Sequence, residues 1–153
     1  MAQPPPIQFS PELSGALHGL KTARVYPKGA VLFRHGTNVE GVFLVEAGQI
    51  RILFPTSQGR AQLLDCVGAC SVLGLSETMS GETYRFTAEA ADHSTVSFIP
   101  RNRFLEFLRK HPEFCMQVVR KLSEDLNGLY HKFRNISAHP GRPRLRARDE
   151  RLN

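Results

Sequence analysis

The sequence predicts a mainly β domain of the sandwich, jelly-roll or barrel kind, flanked by helices and followed by one long helix. Three observations carry that expectation. Between Thr22 and Pro100, short runs rich in β-branched and aromatic residues are separated by turn residues, the earlier breaks recurring at roughly ten-residue spacing. No Rossmann pattern or other α/β alternation interrupts them. From Cys115 to Ile136, apolar residues then step alternately by four and three, the period of a helix seam.

The chain opens with MAQPPPIQF, a proline-rich lead with nothing to pack. Ser10 then offers an N-cap and Pro11 a first helical position, and Leu13, Leu17 and Leu20 form one apolar stripe. The β runs follow in the order ARVY, AVLF, VFLVE, QIRILF, AQLLDC, a short SVL, RFTAEA and STVSFI. They are broken at PKG, HGTN, AG, SQGR, VGA, the Gly74–Tyr84 loop and ADH. Within QIRILF, Ile50, Ile52 and Phe54 alternate with Arg51 and Leu53, so one face is expected to be buried. RNRFLEFLRK returns to helical spacing with Phe104, Phe107 and Leu108 inward, and His111-Pro112 breaks it.

The last pattern is the longest. Cys115, Val119, Leu122, Leu126, Leu129, Phe133 and Ile136 make an a/d seam. A helix over 114–136 runs about 34 Å at ~1.5 Å per residue. Its part from Leu126 to Ile136 extends past what a small domain can cover, so the seam from Val119 predicts a homodimer. The other reading is a helix lying along its own β domain. Gly128 weakens the helix by ~1 kcal/mol relative to alanine, which packing must offset. The expected organisation is a disordered lead (1–9), a sensor-sized β domain with flanking helices (10–113), the heptad helix (114–137) and a flexible basic tail (138–153).

Composition narrows the function. At 153 residues, 41% hydrophobic and 22% charged, the chain can bury a real core. No apolar run approaches the ~20 residues a membrane span needs, and MAQPPPIQFS lacks the basic-then-apolar order of a secretion signal. A cytoplasmic location is expected. Cys66, Cys70 and Cys115 lack paired spacing and read as buried free thiols of a reducing compartment. The six histidines are scattered over different elements, with no H-x-H and following carboxylate to hold a metal. No nucleophile elbow, P-loop or deaminase signature occurs, so no catalytic residue is assigned and the chain is not expected to be an enzyme. Half of the net charge of +6 sits in GRPRLRARDERLN, where five arginines from Arg142 to Arg151 face Asp149 and Glu150. Such a block reads as a solvated end, or as a contact to polyanions without sequence preference.

Two stretches then stand out: YPKGAVLFRHGTNVEGVFLVEAGQIRI (26–52), with its hairpin glycines, and LGLSETMSGETYRFTAE (73–89). Together with the element order they resemble the cyclic-nucleotide-binding domain of the catabolite-activator (Crp/Fnr) family of bacterial regulators, over about Leu13 to Ile136. The resemblance implies a double-stranded β-helix, or β-roll, and a long C-terminal dimerisation helix. It also implies that 74–87 is a phosphate-binding cassette. There an arginine neutralises the cyclic phosphate, backbone N–H groups add donors, and a glutamate accepts from the ribose hydroxyl. Gly74 and Arg85 match that cassette in identity and separation. Leu75 stands where the glutamate belongs, and Phe86-Thr87 replaces a small Ser/Thr-Ala pair. Leu129 and Tyr130 fall where the long helix would reach the base.

The missing carboxylate leaves a ribose hydroxyl unpartnered, at ~1–3 kcal/mol, and Phe86 adds bulk beside the phosphate. Cyclic AMP binding in the family's manner is therefore not expected. Arg85 either keeps an anion site or pairs with Glu77 or Glu82. The family's winged helix-turn-helix has no counterpart in 137–153, and an iron–sulfur cysteine cluster is absent from the N-terminus. The expectation is a small-molecule-sensing regulatory module, with a cyclic nucleotide or another small anionic effector as the candidate ligand. The alternative is a ligand-free interaction or dimerisation module, or a partner subunit of a transcriptional regulator.

Overall fold

Ser10 caps the first helix as its sequence position predicts: its hydroxyl accepts from the Leu13 N–H at 3.2 Å, and Pro11 occupies the first turn. The computed structural model describes residues 7–137, with side chains through residue 124. These fall into two units, Pro5–Met116 and one that includes Gln117 onward. Helix α1 (Pro11–Ala16) and a 3-10 turn (His18–Leu20) lead into the β region, with Leu13 and Leu17 buried.

Eight strands follow, one for each predicted run: β1 (Thr22–Tyr26), β2 (Val31–Phe33), β3 (Gly41–Ala47), β4 (Ile50–Pro55), β5 (Ala61–Val67), β6 (Val72–Leu73), β7 (Thr87–Ala90) and β8 (Ser94–Pro100). They pair as two four-stranded antiparallel sheets, ordered β1-β8-β3-β6 and β2-β7-β4-β5. The inner faces share one core in which Phe33, Phe43, Tyr84 and Phe98 meet Val45, Ile50 and Ile52. The expected β-roll is what forms. A short helix, α2 (Leu75–Ser80), sits between β6 and β7, and α3 (Arg101–Lys110) follows β8.

Four expectations need correction. The lead does pack where it is described: the Ile7 carbonyl accepts from the Val72 N–H at 2.9 Å, and the Phe9 ring stacks on Phe104 at 6.3 Å. Phe54 does not share the burial of Ile50 and Ile52, because β7 pairs with β4 only as far as Leu53; Phe54 is 37% exposed. Cys66 and Cys70 are exposed rather than buried, since β5 is the edge strand and Cys70 lies in the turn beyond it; Cys115 is half-buried. Phe107 is half-buried, tilted against His111 and stacked on Phe114 instead of joining Phe104 and Leu108 in the core.

One polar tie joins the segment after α1 to the first sheet. The Glu46 carboxylate accepts from the Lys21 ammonium at 2.8 Å and from the Ser97 hydroxyl at 2.7 Å. Partial burial works to raise its pKa, but those two hydrogen bonds and the Lys21 charge hold it below the usual carboxylate value.

Pro112 starts α4 (Pro112–Ser137), which matches the predicted heptad helix within two residues at each end. Of the seam, Cys115 and Leu122 are half-buried and Val119 is 44% exposed. The side chains of Leu126, Leu129, Tyr130, Phe133 and Ile136, and the whole arginine-rich tail, lie outside the described residues.

Candidate functional site

The cassette begins where β6 runs out. Gly74 has φ +80°, a left-handed conformation that caps α2, and a Cβ there would sit 3.1 Å from both the Gly41 carbonyl oxygen and the Tyr84 ring. Glycine is required twice over, by conformation and by space. Helix α2 ends at Gly81, also left-handed, whose N–H donates to the Glu77 carbonyl at 2.7 Å. The chain then turns through Glu82 and Thr83 to Tyr84, Arg85 and Phe86 before β7 starts at Thr87. The seventh run therefore yields a strand two residues shorter than its RFTAEA pattern.

Leu75, in the position of the absent glutamate, is 2% exposed and belongs to the hydrophobic interior. Glu77 is the cassette carboxylate that is buried, at 3% exposure, and its Oε2 accepts from the Arg85 backbone N–H at 3.2 Å. It holds the loop closed rather than facing a ligand. The Arg85 guanidinium is 58% exposed and lies 3.7 Å from the Glu82 carboxylate. The predicted pairing with Glu82 is thus present, while Glu77 meets Arg85 through the main chain. A pair so open to water is worth ~0–1 kcal/mol.

Phe86 turns inward. Its ring centroid is 5.3 Å from Phe33 and 5.9 Å from Phe54. Thr87 uses its hydroxyl to accept from the His35 N–H at 2.9 Å, tying β7 to the end of β2. So the five cassette residues Gly74, Leu75, Arg85, Phe86 and Thr87 are brought together, but the side chains among them pack, bond to the backbone or face solvent.

Tyr84 is the residue that sequence reasoning missed. Fully buried, it stacks on Phe33 with centroids 4.0 Å apart. Its hydroxyl accepts from the N–H groups of Glu40 at 3.0 Å and Gly41 at 3.2 Å, and donates to the Gly41 carbonyl at 3.1 Å. Burial pushes the phenol pKa up, only partly offset by the two N–H donors. The available signal was a lone aromatic residue in the polar run SGETYR. Thr78 completes the loop's anchoring: its carbonyl accepts from Arg101 Nε at 2.8 Å, and its buried hydroxyl has no hydrogen-bond partner among the described residues. Among the described residues no group of three or more His, Cys, Asp or Glu could hold a metal, and no helix is long and apolar enough to cross a membrane.

Roll, cassette and helix order together define a class. Residues 23–111 match the family model of the cyclic nucleotide-binding domain, and the chain belongs to that family. Transcriptional regulators of the Crp/Fnr type are among its relatives. It is similar to the transcriptional activator protein Anr of Pseudomonas aeruginosa, at 31% identity over 107 residues, covering 70% of this chain and 43% of that protein. It is similar also to the transcriptional activator protein FnrA of Stutzerimonas stutzeri, 32% identical over the same shares of each chain. The chain spans less than half the length of these curated relatives. Among solved structures, the catabolite activator protein of Thermus thermophilus has a TM-score of 0.76 at 20% identity, covering 84% of this chain and 60% of that one. The sensor domain of the transcriptional regulator DNR from Pseudomonas aeruginosa has a TM-score of 0.67 at 20% identity, covering 80% and 82%.

Replacing Tyr84 by phenylalanine keeps the ring stack but strips two N–H groups and a carbonyl of their partner. Tyr84→Phe is expected to cost ~1–3 kcal/mol of stability, read by urea unfolding. An unchanged midpoint would show that water satisfies those groups equally well.

Proposed function

We propose that this chain is the regulatory module of a Crp/Fnr-type regulator and that its cassette does not receive a cyclic nucleotide. The observation that carries the second half is the placement of Arg85 and Phe86. The guanidinium stands in water beside Glu82, and the ring after it packs on Phe33. A phosphate brought to Arg85 would meet that surface pair, and a ribose brought inward would meet Leu75 and Phe86 instead of a carboxylate. An effector for this module is therefore of another kind, or the cassette serves only to hold the loop. A thermal-shift series with cAMP, cGMP and unrelated small acids separates these outcomes. A ligand at a hundred times its Kd adds ~2.7 kcal/mol. Neither cyclic nucleotide is expected to move the melting temperature, and a clear rise with either one would overturn the reading.

The module's output is proposed to run through α4 as a homodimer helix. Supporting this, Val119 lies on the predicted seam and is 44% exposed in the single chain, and exposed apolar positions at heptad spacing favour a second helix. Leu126→Glu places a charge in that seam. Light scattering is expected to report a dimer for the unaltered chain and a monomer for the variant; a variant that stays dimeric would place the interface elsewhere.

A further inference from the structure

Helix α2 buries an acid. Glu77 is 3% exposed, and its Oε2 accepts from the Arg85 N–H at 3.2 Å. It has no ion-pair partner among the described residues. Two nearby arginines are turned to other acceptors. The Arg85 guanidinium lies 3.7 Å from the Glu82 carboxylate, and Arg101 donates from Nε to the Thr78 carbonyl at 2.8 Å. Next to Glu77 in sequence, Thr78 is fully buried, and its hydroxyl is unpartnered among the described residues. The loop thus encloses a carboxylate held by a main-chain donor and, one residue on, a hydroxyl held by none.

Taking a carboxylate out of water is unfavourable unless donors replace its hydration. An apolar side chain of similar length would fill the same space without that cost. What the carboxylate does, and an apolar group could not, is accept from the N–H of the residue that carries the cassette's cation. With that N–H taken, the Arg85 main chain is fixed between Tyr84, bonded to Glu40 and Gly41, and Phe86, packed on Phe33. An external anion that approaches this donor meets a negative charge already in place.

We infer that the cassette is a self-occupied anion site: the Glu77 carboxylate is its resident ligand, and this contact keeps the loop closed without an effector. The inference rests on the reading that no cyclic nucleotide enters the cassette, and it says what stands there instead. Once Glu77 is cut back, the place takes a small carboxylate such as formate. That choice follows from the group removed and from the single N–H that faces it. A phosphate brings more oxygens than this donor set can satisfy.

The test is rescue of Glu77→Ala by formate, with chloride at equal ionic strength and inorganic phosphate as controls. Two readouts are taken on the full chain: the urea midpoint, and the Arg85 amide in proton–nitrogen correlation spectra. The replacement is expected to lower the midpoint and to speed Arg85 amide exchange at least about tenfold, the ~1.4 kcal/mol of a lost hydrogen bond to a charged group. Formate should reverse both changes saturably and shift the Arg85 resonance, while chloride and phosphate do neither. The unaltered chain should respond to none of the three. If Glu77→Ala does not fold, Glu77→Asp, whose carboxylate stops one methylene short, is expected to show the faster Arg85 exchange. The inference is overturned if the Arg85 amide exchanges no faster in the folded variant, or if formate fails to restore Glu77→Ala. It is equally overturned if chloride or phosphate does as well, or if formate acts alike on the unaltered chain. A melting temperature of the unaltered chain that rises with cAMP sinks the proposed function, whereas failed rescue with no cAMP response sinks the inference alone.

Discussion

The Tyr84 hydroxyl bonds three main-chain groups at the threshold of β3, two N–H donors and one carbonyl. Those groups belong to Glu40 and Gly41, at the point where the chain enters the first sheet, while Tyr84 itself ends the cassette loop. One side chain thus locks the loop to the sheet behind it. Its ring, stacked on Phe33, adds the second sheet to the same junction. Gly74 is left-handed at φ +80°, which favours glycine, and that ring passes 3.1 Å from where a Cβ would lie. The positions of Arg85 and Phe86 follow, because the two residues after Tyr84 have little freedom before β7 begins.

That constraint bears on the two proposed uses of the loop. Phe86 is half-buried against Phe33 and Phe54, so it gains a part of the ~1.5–3 kcal/mol that complete burial of such a ring brings, to set beside the ~0–1 kcal/mol of an exposed pair such as Arg85–Glu82. A ligand seeking the interior would have to displace the ring and do without the ribose-accepting carboxylate, which costs a further ~1–3 kcal/mol. The buried carboxylate of Glu77 is turned to the loop itself, its Oε2 accepting from the Arg85 N–H. On the proposed reading, the loop keeps the glycines that the fold needs and alters the side chains that a cyclic nucleotide would need.

Most of the fold was legible because its signals are local. Turn residues between β-rich runs placed all eight strands, and a proline after His111 placed the start of α4. Errors arose where a neighbour out of sequence decides. Phe54 fits the alternation of β4 but outruns its partner β7. Cys66 and Cys70 look like core thiols until β5 proves to be an edge. The cassette was recognisable from Gly74 and Arg85, yet whether Phe86 faced in or out depends on where β7 begins, and the RFTAEA pattern points two residues too early. Tyr84 was invisible as an anchor, since nothing in the sequence announces that its hydroxyl reaches backbone forty-odd residues away.

The central claim is that the space beside the cassette is filled by the chain's own rings, whatever nucleotide is offered. Aromatic NOE spectroscopy on the selectively labelled chain tests this directly, by observing the Phe86 ring against Phe33 and Phe54 before and after saturating cAMP. The account predicts that both sets of ring contacts are present and survive the addition. Loss of the Phe86–Phe33 contacts on adding nucleotide, with new contacts from Phe86 or Leu75 to the ligand, would contradict it.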